Sequence, residues 1–330
     1  MAWGTWGKGV ELRWRSASKA GDYSADFGRR VFGLAIRIVN MASTAPAEHL
    51  FQRIYRRAPE DAARSLLAFR ARHPISTVEV DGVRWEFLCA GRGERAVLLL
   101  HGLAGACDIW WQQIEALQDR FRLVSLTYPA VDTLEGLRRG LNAVLQVAGV
   151  DRFAVVGTSL GGYLAQYLVA RQPERIEQAV FANTFPPNRI LARRTRGADL
   201  LIRLLPQALL LAGMRWNTRL SIYPASGRSQ LLKAYLDEGT YRSMDKARFL
   251  ARYRAVVEWF APPDPVAHGI PALLIESAND PLISPALRRL LKRTYPSAQV
   301  HTFGPVGHFP YVNRPQAYIE VLAKFLTSSP

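Results

Sequence analysis

Near-continuous apolar runs, each followed by a helix-length periodic segment, constrain this chain more than any other feature of its 330 residues. Runs at 96–100, 122–126, 153–156, 176–182, 272–275 and 299–303 alternate with helical patterns over 109–117, 134–147, 285–294 and 315–326. Strands that are apolar on both faces belong in a parallel sheet covered by helices on both sides, so the pattern predicts an α/β fold with a mostly parallel central sheet. Ahead of them, Val78-Glu79-Val80, the turn Asp81-Gly82 and a run over 83–88 predict a hairpin at the sheet edge. Residues 47–55 and 59–72 read as two lead-in helices.

The alternation lapses between Asn183 and Gly269, where the chain is helical in pattern, leucine-rich and basic. This predicts a core at 76–184 and 268–330, a helical lead-in at 41–75 and an inserted helical cap at 185–267. Residues 1–40 carry Trp3, Trp6 and Trp14 with little period, a composition that fits a basic, disordered extension; the alternative is a weakly amphipathic helix over 32–41 that touches a membrane surface.

Basic residues exceed acidic ones by 16, but residues 186–263 alone hold 14 basic and 5 acidic side chains. The excess therefore sits on the appendages and leaves the core nearly neutral. Without interleaved aromatic platforms it does not predict nucleic-acid binding. Cys89 and Cys107 stand alone, with no spacing that suggests a metal site or a disulfide framework, and no cofactor is predicted. A cytoplasmic location is the expectation, with weak contact to anionic membrane through the cap.

Gly157-Thr158-Ser159-Leu160-Gly161-Gly162 lies where the run 153–156 gives way to a helix. Small residues two places either side of Ser159 permit a sharp turn that lifts the hydroxyl off the end of the strand. A serine becomes nucleophilic only with a base and a group that orients the base. In an open sheet both belong just past the carboxyl ends of strands. Asp280 follows the run 272–275 and His308 follows the run 299–303. Glu276 is the competing acid; the other position for an acid, after the run 176–182, holds Asn183. His49, His73, His268 and His301 fall before the sheet, at its wrong end or within a strand, and read as packing or surface residues.

Two backbone donors would receive an oxyanion: Leu160 N–H after the nucleophile, and Leu103 N–H in the loop His101-Gly102-Leu103-Ala104-Gly105. His101 is expected to hold that loop rather than to act as a base. Leu200, Leu201, Leu204, Leu205, Leu209, Leu210 and Leu211 in the cap are expected chiefly to pack against the core, with an acyl pocket or a lipid surface as alternatives. Arg193, Arg194, Arg196 and Arg203 stand beside them.

With its order of Ser159, Asp280 and His308, the chain resembles the α/β-hydrolase superfamily, and within it the maspardin-like proteins. The narrower likeness runs through Asp108-Ile109-Trp110-Trp111-Gln112-Gln113-Ile114, Thr127-Tyr128-Pro129, Gly157 to Gln166 and Phe309-Pro310-Tyr311. Maspardin-like proteins of animals are associated with protein binding, and the resemblance implies no histidine at the place of His308; its presence here departs toward catalysis. The expectation is a serine hydrolase that cleaves a small carboxylic ester with an apolar acyl group. A non-catalytic scaffold is the alternative, as is an acyltransferase, cofactor-free lyase or peroxidase on the same framework.

Overall fold

The structure, a computed structural model, describes residues 45–189 and 196–328. The expectations for residues 1–40, and for Arg193 and Arg194, lie outside the described residues. Eight strands form one sheet: β1 (Ser76–Val80), β2 (Val83–Ala90), β3 (Ala96–Leu100), β4 (Arg122–Thr127), β5 (Phe153–Thr158), β6 (Ile176–Ala182), β7 (Ala272–Ser277) and β8 (Gln299–Phe303). Their order is β1-β2-β4-β3-β5-β6-β7-β8. β1 and β2 pair antiparallel, as do β2 and β4, while every pairing from β4 to β8 is parallel. The hairpin turns at Asp81 and Gly82, both at positive φ (51° and 72°), the backbone that a two-residue primed turn requires.

The helices used below are α1 (Ala45–Tyr55), α2 (Glu60–Arg72), α3 (Trp111–Leu117), α4 (Leu134–Val147), α5 (Leu160–Arg171), α6 (Arg196–Leu204), α7 (Gln207–Asn217), α8 (Gln230–Arg242), α9 (Lys246–Val257), α10 (Pro285–Thr294) and α11 (Pro315–Thr327). The period-2 geometry of a strand sends β3 side chains to alternate faces, and both are buried. Val97 and Leu99 join a core with the lead-in helices, α3 and α11, whereas Ala96, Leu98 and Leu100 join a second core with α4, α5 and α10. At Gly140 of α4 an added Cβ would lie 1.9 Å from the Trp85 ring, so the absent side chain lets the indole of β2 pack directly against the helix.

The expected helix at 109–117 begins instead as a 3-10 turn, Cys107–Trp110, before α3. Between β6 and β7 lie α6 to α9, with irregular stretches at 183–188 and 258–265. This insertion is fastened at both ends to α5: Gln166 Nε2 donates to Phe185 O (3.0 Å) and the Tyr163 hydroxyl donates to Glu258 O (2.7 Å). The expectation that its leucines pack inward is corrected. Leu210 is buried, but Leu200, Leu201, Leu204, Leu205 and Leu209 are exposed. Their helices are tied to α9 by polar contacts, Arg254 on Asp199 (2.6 Å) and Lys246 on Leu205 O (2.8 Å).

Candidate active site

β5 delivers Ser159 to the turn at φ 56° and ψ −119°, a conformation that L residues rarely adopt and that costs about 1–3 kcal/mol. Its neighbours determine it. Ser159 N–H donates to Ala182 O (2.9 Å), and its carbonyl accepts from Tyr163 N–H (2.9 Å) and the Thr184 hydroxyl (2.8 Å). Close approach is possible only because of the glycines. A Cβ on Gly157 would meet Gly161 O at 2.1 Å, and one on Gly161 would meet Leu100 O at 2.1 Å. Ser159 itself is only half-buried, with its helix start pressed against the end of β3.

Asp280 and His308 come from the loops after β7 and β8 and are joined: His308 Nδ1 lies 2.8 Å from Asp280 Oδ2 and 2.9 Å from Oδ1. Both side chains are nearly out of solvent, at 0% and 3% exposure. The carboxylate also accepts from Asn183 Nδ2 (2.9 Å) and from the Leu282 and Ile283 N–H groups (2.8 and 3.0 Å). Burial disfavours its charge, but the His308 charge and these hydrogen bonds outweigh burial and hold the Asp280 carboxyl below its ordinary value. With Nδ1 engaged, Nε2 is the ring nitrogen free to serve a substrate or a hydroxyl. Among the described residues the Ser159 hydroxyl makes no hydrogen bond to His308; such contacts are commonly long in an unliganded site and close when substrate binds.

The loop after β3 is fixed from two sides. His101, fully buried, places Nδ1 2.6 Å from Gly102 O and packs tilted by 36° against Tyr128, ring centroids 4.1 Å apart, which holds the loop. A trans peptide sets the Leu103 N–H opposite to that pinned carbonyl. From α9 of the insertion, Arg252 donates to Leu103 O (2.7 Å), Gly105 O (3.1 Å) and Tyr128 O (2.7 Å). Arg252 is 1% exposed and has no carboxylate partner among the described residues. Burial pushes its guanidinium down to about 10, which leaves it charged at neutral pH against carbonyl dipoles and the Tyr128 ring. On the other side, Leu160 N–H is the first of α5 and has no partner within the helix. Gly102 completes the floor, since a Cβ there would lie 3.1 Å from Ser159 Cβ.

The competing residues are occupied elsewhere. Glu276 accepts from Lys292 (2.8 Å) and Thr302 (3.0 Å) as a strand-to-helix tie. His73 lies 3.4 Å from Glu115, His301 packs edge-on against Phe303, and His49 and His268 are exposed. Sequence reasoning missed Arg252 and the role of Asn183. For Asn183 the signal was its place directly after β6; for Arg252 it was a cation sharing a helix face with Ala251 and Ala255, both buried.

Comparison with known proteins agrees with this architecture. The family model for the alpha/beta hydrolase fold matches residues 95–315. A hydrolase of Pseudomonas aeruginosa PA01 superposes with a TM-score of 0.65 at 22% identity, covering 77% of this chain and 98% of that one. Among sequences, a pimeloyl-[acyl-carrier protein] methyl ester esterase of Nitrosomonas europaea is 25% identical over 68% of this chain and 92% of its own length. A 2-hydroxy-6-oxononadienedioate/2-hydroxy-6-oxononatrienedioate hydrolase of Paraburkholderia phymatum is 26% identical over 72% and 88%. The fold and its relatives thus define an enzyme of the hydrolase class. The chain belongs to the α/β-hydrolase fold family.

Proposed function

We propose that this protein is a serine hydrolase that cleaves a small carboxylic ester through an acyl-enzyme. The observation that carries the reading is the buried Asp280–His308 pair, an imidazole held by one nitrogen at the edge of the sheet where the strained Ser159 turn presents its hydroxyl. In this mechanism Ser159 Oγ attacks the carbonyl carbon as its proton passes to His308 Nε2. Asp280 keeps Nδ1 protonated and stabilises the imidazolium. Leu103 and Leu160 N–H groups receive the oxyanion, which then collapses and expels the alcohol with the proton from His308. Water, deprotonated by the same nitrogen, attacks the acyl-Ser159 ester and releases the acid, restoring the hydroxyl. The insertion at 185–267 acts as a cap over the acyl group, an apolar one, and no cofactor takes part.

The test is labelling by a fluorophosphonate, which needs an activated serine, together with turnover of p-nitrophenyl acetate. Wild type should label and turn over, and Ser159→Ala should do neither. A wild type that resists the probe, or a Ser159→Ala protein with unchanged turnover, would falsify the reading and favour the non-catalytic scaffold that the maspardin-like resemblance implies.

A further inference from the structure

On the outer side of α6, α7 and the turn that follows, Leu200, Leu201, Leu204, Leu209, Trp216 and Leu220 are between 59% and 73% exposed. Leu209 and Trp216 stand seven residues apart and share one face of α7. A run of large apolar side chains this exposed marks an interaction surface. The same stretch is strongly basic: residues 186–225 hold seven arginines and a single carboxylate, Asp199. That carboxylate is already taken by Arg254 (2.6 Å) and Arg203 (3.1 Å). Arg203 and Arg219 are exposed beside the leucines. No single described helix is long and apolar enough to cross a bilayer, and Gly197–Leu204 and Gln207–Ala225 meet at a sharp bend of 117°.

We propose that the α6–α7 face docks on an anionic lipid surface, its leucines and Trp216 entering the interface and its arginines meeting the headgroups. Charge decides between this occupant and a second copy of the chain. Two-fold pairing would bring the same arginine-rich surfaces together, whereas an anionic bilayer neutralises them while taking up the apolar side chains. The face also connects to the site. The helical run from Gln207 ends at Ala225, whose carbonyl accepts from Asn279 (2.8 Å) and whose backbone lies 3.1 Å from where a Gly307 Cβ would sit. Those two residues adjoin Asp280 and His308, so docking would set the carboxyl edge of the sheet close to the lipid. The proposal does not depend on Ser159 being a nucleophile.

The experiment is flotation of the full chain with phosphatidylcholine vesicles, with or without about 30% phosphatidylglycerol, in ~50 and ~500 mM salt. Wild type should float with the anionic vesicles at low salt and much less at high salt. A Leu204→Glu/Leu209→Glu protein should partition at least about tenfold less, and Arg203→Glu/Arg219→Glu should lose the salt-sensitive part. Both variants should keep the circular dichroism and the thermal melt of wild type, which separates docking from folding without relying on the chemistry at Ser159. Docking is overturned if wild type stays with the aqueous fraction at low salt, or if neither variant reduces flotation. It is equally overturned if wild type is a dimer that Leu204→Glu/Leu209→Glu dissociates and that never floats.

Discussion

Asn183 Nδ2 donates to Asp280 Oδ2 at 2.9 Å from the end of the neighbouring strand, so the place after β6 holds an amide bonded to the Asp280 carboxylate rather than a second carboxylate. Asn183 lies at φ 43°, is buried, and also reaches Ser277 Oγ (3.3 Å). Replacing it with alanine removes one donor from a buried carboxylate and costs about 1–3 kcal/mol at that group. The expected result is a folded protein whose kcat falls about tenfold or more with KM little changed. Asn183→Asp should fare worse, because two carboxylates then compete for one imidazole. Steady-state kinetics on p-nitrophenyl acetate decides.

Arg252 should act at a distance from the reacting atoms. Arg252→Ala frees the part-buried Leu103 and the buried Gly105 carbonyls, and in the proposed mechanism a displaced oxyanion donor costs on the order of 10²-fold in kcat. Arg252→Lys keeps the charge but cannot span three carbonyls, so it should recover only part of the loss. Measured rates of fluorophosphonate labelling should fall in step with kcat; unchanged rates would remove the positioning role.

Gly102→Ala should give a folded but slowed protein, since the new methyl would lie 3.1 Å from Ser159 Cβ and 3.6 Å from Oγ. Relief of that contact needs a shift of a few tenths of an ångström at Ser159, and since a misplacement of about 1 Å costs ~10²-fold, the expected loss is about 3- to 10-fold in rate. Gly213→Ala on α7 is the control. It meets nothing within 4 Å and should raise stability by about 0.5–1 kcal/mol without touching turnover. Thermal melts and kinetics on the pair separate crowding from general damage.

Arg70 of α2 ties Asp108 (2.8 Å) to Glu238 of the insertion (2.9 Å), where the Tyr55 hydroxyl also donates (2.8 Å). Arg70→Met leaves two buried carboxylates with reduced compensation, and should cost about 3–5 kcal/mol in urea unfolding. Adding Asp108→Asn and Glu238→Gln should recover part of that loss.

Acid should unfold the protein partly through Asp280 and Asp108. Burial opposes the charge on both, yet His308 for Asp280 and Arg70 for Asp108 prevail and lower each below its ordinary value. A lowered carboxyl stabilises the fold above the unfolded pKa of about 4 and loses that contribution as pH falls through the folded value. Unfolding free energy should therefore drop below about pH 4, and Asp280→Asn should flatten the drop in a urea series across pH.

The sheet was legible because its signal is local. β6, β8, α4 and α10 fall on the residues that periodicity marks, and Ser159 is announced by the glycines its turn needs. Contacts made across the chain were not. Leu204 is exposed in a helix tied to α9 by Lys246 and Arg254, contacts that local period does not reveal, and an arginine bonded to carbonyls 147 and 149 residues away leaves no spacing to read.

The grip of Arg252 on the loop after β3 means that the insertion is no detachable accessory. A chimera that exchanged the segment between β6 and β7 for another member's would keep serine, histidine and aspartate in place yet lose the brace behind Leu103. The segment between β6 and β7 cannot be exchanged without loosening that loop unless the donor brings its own buried cation.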